Sequence, residues 1–288
     1  MRRLIRRGTR LGFQLVLGAL ALTGCRALDM VDAVTPRGGY SIERDQAYGP
    51  DPRQRLDVYR PAADTGRPIV LFFYGGNWKE GSKNDYRFVG QSLATAGYVT
   101  VVADYRLYPA VSFPGFVEDG AAATAWTAAH LTRPDGTPRP IVLLGHSAGA
   151  YIAALLATDK RYLDGPAGPG RRVVEAWVGL AGPYQFQPKD ENARILASPD
   201  GRPNMAADAA DAGTPPAFLL VAGDDEIVGK VNADRLEARL QALGVPVVRK
   251  TYPGLHHATL VGGLGSSFGF IGPIRGDVLA YLDALPSH

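Results

Sequence analysis

The chain has 288 residues, 46% hydrophobic and 20% charged, with one cysteine and a formal net charge of +3. This composition excludes a disordered chain, and a lone cysteine excludes an internal disulfide, which a chain of this length does not need to hold a core. Five of the 31 basic residues (Arg2, Arg3, Arg6, Arg7 and Arg10) sit at the start, and setting them aside leaves 26 basic against 28 acidic residues. The body therefore lacks the basic excess that nucleic-acid binding leaves in a sequence.

Behind those arginines runs a mostly apolar stretch from Leu11 to Thr23, ending in Leu22-Thr23-Gly24-Cys25. A basic start and a short apolar run make residues 1–24 a signal-peptide pattern; a spanning helix takes roughly 20 apolar residues. Leu-Thr-Gly-Cys resembles the lipobox of bacterial lipoproteins. The resemblance implies acylation of Cys25 after cleavage, a membrane partner reached through the lipid anchor, and a place in the bacterial cell envelope. The alternative is an ordinary secretory signal with an incidental or buried cysteine. The arginine pairs raise twin-arginine export, but the hydrophobic pair expected after them is missing. Residues 25–39, with Asp29, Asp32, Pro36, Gly38 and Gly39, read as a tether.

From 40 to 288 the sequence reads as one domain, in which short β-branched runs alternate with longer Ala- and Leu-rich segments. Strands are predicted at 40–47, 54–59, 68–74, 98–103, 140–145, 173–179, 217–222 and 247–252, and the central ones are continuous apolar runs, as doubly covered strands are. Helices are predicted at 84–96, 115–131, 148–158, 229–243 and 274–285, with Gly97 and Gly244 at two expected stops. The alternation implies an α/β fold with a mainly parallel sheet and helices on both faces. Residues 183–216, rich in Pro, Asp and Asn, read as a small irregular insertion over one sheet edge.

Gly145-His146-Ser147-Ala148-Gly149 falls between a predicted strand and a predicted helix, the setting of a Gly-x-Ser-x-Gly nucleophile elbow. Serine needs a base. Of five histidines, His146 lies inside the elbow and is read as pointing elsewhere, His130 closes a helix and His288 ends the chain; His256 and His257 remain. An acid must orient the base, and Asp224, Asp225 and Glu226 compete at the end of the penultimate parallel strand. Tyr74-Gly75-Gly76-Asn77-Trp78 follows a strand, where glycines let backbone N–H groups approach a substrate.

Together these motifs resemble the α/β-hydrolase fold, and within it small esterases carrying a His-Gly-Gly-x-Trp oxyanion loop, here with Tyr74 in place of the histidine. Asp104-Tyr105-Arg106 adds a likeness to isoprenylcysteine methylesterase-like and feruloyl or acetyl-xylan esterase-like members. The resemblance implies that Tyr252-Pro253-Gly254-Leu255-His256-His257 supplies the base at His257 and that Asp225-Glu226-Ile227-Val228 supplies the acid at Asp225. It places the oxyanion hole at Gly75, Gly76 and the N–H of Ala148, and leaves open what supports that loop without its histidine. Asp104 and Arg106 are read as structural, and Glu118 and Asp119 as partners of a helix dipole. No metal or cofactor is expected, because no His/Cys cluster has ligand spacing.

The reading is a serine carboxylesterase acting on small esters through an acyl-enzyme. An arylformamidase-like amidase, or an envelope lipoprotein that kept the fold as a binding module, stands as the alternative. Trp78, Tyr105, Tyr184 and Phe186 are candidates for pocket walls or core.

Overall fold

The computed structural model describes residues 31, 34–133, 135–165, 168–198 and 200–286. The signal peptide and Cys25 lie outside them. Eight strands, β1 (Tyr40–Ala47), β2 (Arg55–Pro61), β3 (Ile69–Phe73), β4 (Thr100–Ala103), β5 (Ile141–His146), β6 (Val174–Leu180), β7 (Ala217–Ala222) and β8 (Val247–Tyr252), form one sheet ordered β1-β2-β4-β3-β5-β6-β7-β8. From β4 through β8 neighbours run parallel, while β2 is antiparallel to both β1 and β4. Every residue of β3, β4, β5 and β7 is buried, so both faces of the central sheet are covered, which is why these strands read as unbroken apolar runs. The edge strand β8 keeps half of its positions exposed and buries only Tyr252.

The longer helices are α1 (Arg87–Ala94), α2 (Gly115–His130), α3 (Ala148–Thr158), α7 (Val231–Ala242) and α9 (Ile274–Asp283). Helix α3 is buried along its whole length. Arg275 of α9 donates to Ser92 Oγ of α1 at 2.7 Å, joining those two helices. The chain steps from β3 to β4 on one side and returns to β5 on the other. In open α/β sheets ligands bind at such a reversal, beyond the carboxyl ends of the strands that flank it, here β3 and β5.

Shorter helices differ from the sequence reading. The 183–216 insertion contains α5 (Asp190–Ile195) and α6 (Ala206–Ala209), and α4 (Lys160–Leu163) follows α3. The loop after β8 closes into α8 (His257–Gly262), with the His256 N–H held by Thr259 Oγ1 at 2.9 Å. None is long enough to show a periodicity. Residues 34–36, assigned to the tether, are docked on the body: Thr35 is buried, its carbonyl accepts from Arg87 Nη2, and Val34 O accepts from Ser267 Oγ. Asp119 is a correction. It is no helix-dipole partner but a buried carboxylate, 1% exposed, gripped by the Arg106 guanidinium at 2.7 Å and by Gln54 Nε2 at 2.8 Å.

Candidate active site

The sequence places Ser147 between a strand that must end and a helix that must begin at once. The chain turns there with Ser147 at φ 53°, ψ −120°, a conformation L-residues avoid and one that costs about 1–3 kcal/mol. The flanking glycines make the turn fit: a Cβ on Gly149 would lie 2.0 Å from the Phe73 carbonyl, and one on Gly145 2.3 Å from the Gly149 carbonyl. The Ser147 N–H donates to Leu180 O at 2.9 Å, fixing the turn to β6.

His257 opens α8, and its Nε2 lies 2.8 Å from Ser147 Oγ. Its Nδ1 lies 2.8 Å from Asp225 Oδ2. A carboxylate only accepts, so Nδ1 carries the hydrogen, Nε2 is left as the acceptor, and the Ser147 hydroxyl donates to it. The other Asp225 oxygen accepts the N–H groups of Ile227 and Val228 at 2.9 and 2.8 Å, and the Asp225 side chain is only 1% exposed. The rival residues stand apart: Asp224 and Glu226 are exposed, and exposed His256 directs Nδ1 to the Asp224 carbonyl at 3.0 Å.

The 75–78 turn comes directly against Ser147. A Cβ on Gly75 would meet Ser147 Cβ at 3.0 Å, and one on Gly76, whose φ is 136°, would meet the Glu80 carbonyl at 2.1 Å. The N–H of Gly75 lies against the Tyr86 hydroxyl, where it opposes the upward push of burial on that phenol. Ala148 is the first residue of α3, a position whose N–H has no intrahelical acceptor. The support left open by the missing histidine comes from Tyr74 itself, whose hydroxyl donates to Asp104 Oδ1 at 2.9 Å and accepts from Arg53 Nη2 at 2.7 Å. Trp78, Tyr105 and Tyr184 are buried in the core, and Phe186 is half-buried against it. Trp78 stacks on Phe116 and meets Tyr151 edge-on, with ring centroids 6.0 and 5.2 Å apart.

One feature runs against the sequence reading. His146 does not point away from the site: its ring centroid lies 4.9 Å from that of His257, and its Nε2 is 3.2 Å from the His257 carbonyl. Alternation along β5 cannot reveal this, because the partner sits 111 residues away. Among the described residues no group of three or more His, Cys, Asp or Glu side chains is arranged to hold a metal ion.

A family model described as BD-FAE matches residues 56–240. An Arabidopsis thaliana protein named "Probable isoprenylcysteine alpha-carbonyl methylesterase ICMEL1" is 32% identical over 187 residues, covering 61% of this chain and 39% of that protein. A Mycobacterium tuberculosis protein named "Probable carboxylic ester hydrolase LipM" is 30% identical over 249 residues, covering 76% of this chain and 56% of that one. The chain thus spans less than three fifths of the length of these curated relatives. Among solved structures, esterase B from Lactobacillus rhamnosis superposes with a TM-score of 0.75 at 21% identity over 94% of each chain. A carbohydrate esterase from gut microbiota gives 0.72 at 16% identity, covering 86% of this chain and 98% of its own. At these identities the structural likeness speaks to the fold, which is that of the α/β-hydrolases.

Proposed function

The chain belongs to the BD-FAE family, and from that premise we propose that it is a carboxylesterase-type serine hydrolase of small esters. The observation that carries the reading is the continuous relay from Ser147 Oγ through His257 to Asp225, two hydrogen bonds of 2.8 Å each. The names of these relatives, which speak of carboxylic ester and methyl ester hydrolysis, agree with it.

In this mechanism the Ser147 oxygen attacks the ester carbonyl as His257 Nε2 takes its proton, and Asp225 stabilises the imidazolium. The negative charge developing on the carbonyl oxygen is met by the N–H groups of Gly76 and Ala148; donors of this kind are each worth about 3–4 kcal/mol. Gly75, which the sequence reading also counted as a donor, has its N–H against the Tyr86 hydroxyl and contributes chiefly by lacking a side chain where its backbone meets Ser147. His257 then returns the proton to the leaving alcohol, and water repeats the sequence on the acyl-enzyme to release the acid. Anchoring through acylated Cys25 in the cell envelope belongs to the same proposal and rests on the Leu22–Cys25 pattern.

The test is a fluorophosphonate probe followed by intact mass. One adduct on the wild-type protein, absent from Ser147→Ala, supports the reading and directs a screen of acetyl, feruloyl, methyl-ester and formamide substrates. Folded protein without an adduct overturns it in favour of a binding module. For the anchor, protein recovered from the membrane fraction should begin at an acylated Cys25 by mass spectrometry; a mature N-terminus without acyl chains rules out attachment through Cys25.

A further inference from the structure

His146 closes β5, one residue before the nucleophile, and is 5% exposed. Its Nε2 lies 3.2 Å from the carbonyl oxygen of His257. A carbonyl only accepts, so Nε2 carries the hydrogen and Nδ1 is a bare lone pair. That Nδ1 is buried with no hydrogen-bond partner and faces Gly75, where an added Cβ would stand 2.9 Å from it. One ring thus bridges the backbone that carries the base and the turn that abuts the nucleophile. A buried polar atom without a partner is a cost that a Leu or Phe would not incur, so packing alone does not account for an imidazole here.

We infer that His146 is a positioning residue, which holds the His257 backbone through its Nε2–H and so sets the distance between the catalytic imidazole and Ser147. The inference rests on the hydrolase reading above. The titratable groups facing His146 are His257, at the start of α8, and Asp225, on the loop after β7. Burial, and then the charge His257 carries when protonated, hold the His146 pKa down to about 3, against the opposing pull of the carbonyl bond and of Asp225. His146 therefore does not compete for the proton that His257 takes from Ser147. The positive charge stays between Ser147 and Asp225, where the relay uses it.

The test combines imidazole 15N NMR of the wild-type chain with two substitutions. His146 should show the Nε2–H tautomer and no titration between pH 5 and 9; a protonation midpoint inside that range overturns the inference. His146→Phe should lower both kcat for a p-nitrophenyl ester and the rate of fluorophosphonate labelling about ten- to a hundredfold, with KM within about twofold. His146→Gln, which restores an N–H donor, should recover part of the loss. Folded His146→Phe that labels as fast as the wild type overturns the inference while leaving the hydrolase reading intact. A wild type that does not label at all overturns the hydrolase reading and this role with it. The NMR result stands on the wild-type chain even where a variant fails to fold.

Discussion

The Tyr74 hydroxyl donates to Asp104 Oδ1 at 2.9 Å while its backbone carbonyl accepts from Tyr105 Oη at 2.8 Å, so one residue ties the 75–78 turn to the segment after β4 twice. Its ring also stacks on Tyr105 at 4.7 Å. Burial pushes the Tyr74 pKa far up, so the phenol stays a neutral donor. Tyr74→Phe leaves the buried Asp104 carboxylate without one donor and Arg53 without one acceptor. A loss of about 1–3 kcal/mol is expected, together with a lower kcat from a looser turn. Urea denaturation and initial rates measure both, and unchanged stability would show that the bond contributes nothing net.

Asp225→Asn is expected to lower kcat about 10⁴-fold while the protein stays folded. Asp225 presents two oxygens, one to two backbone N–H groups and one to His257 Nδ1. An amide must turn an NH2 toward one of these donors, and with the backbone side fixed it faces Nδ1 and imposes the wrong imidazole tautomer. A variant retaining a tenth of wild-type activity would remove Asp225 from the relay.

The backbone at Ser147 stores strain that the side chain does not relieve. Ser147→Ala keeps the residue at φ 53°, whereas Ser147→Gly adopts that conformation freely. Both should be inactive, and the glycine variant should be the more stable by about 1 kcal/mol, once its larger unfolded-state entropy is counted. Calorimetry of the pair reads the strain directly, since neither carries the hydroxyl. Equal melting temperatures would mean that the strain is no larger than the entropy glycine gives up on folding, about 1 kcal/mol or less.

Stability should depend on pH through His146. Its folded-state pKa is depressed to about 3 from an ordinary 6.5. Between those values the unfolded chain binds a proton that the folded chain does not, so the contribution is complete above the unfolded pKa and is lost as pH falls toward the folded one. The slope from one such group is about 1.4 kcal/mol per pH unit. Urea titrations from pH 6 down to 4 should show a shallower decline for His146→Phe than for the wild type, by about one proton. Parallel curves would refute the assignment.

Arg106→Leu should be costly for stability rather than for chemistry. It strips the guanidinium from Asp119, which is 1% exposed and keeps only Gln54 and the Arg106 backbone N–H as donors. Leaving a buried charge unpaired costs about 3–5 kcal/mol. A large drop in the urea midpoint with kcat per folded molecule unchanged is the expected result. A variant as stable as the wild type would mean that the guanidinium contributes nothing net at Asp119.

The parts of this protein legible in its residues are those governed by short-range rules. Continuous apolar runs such as Ile141–Leu144 announced doubly covered strands. Two glycines around Ser147 announced a turn that no Cβ could enter, and the order of motifs led to the fold. Choices between neighbours were another matter. Asp224, Asp225 and Glu226 are chemically alike at one strand end, and family resemblance alone preferred the middle one. In the folded chain, that acid alone is nearly fully buried with His257 within 2.8 Å, while the others are exposed. His256 and His257 differ by one step at the start of α8, where one residue's rotation of the helix sends one ring to a carbonyl and the other to Ser147. His146 and Asp119 escape a local reading for the same reason. Their partners, the His257 carbonyl and the guanidinium of Arg106 with Gln54, arrive from distant segments, and no local periodicity encodes a contact made only when the sheet has assembled.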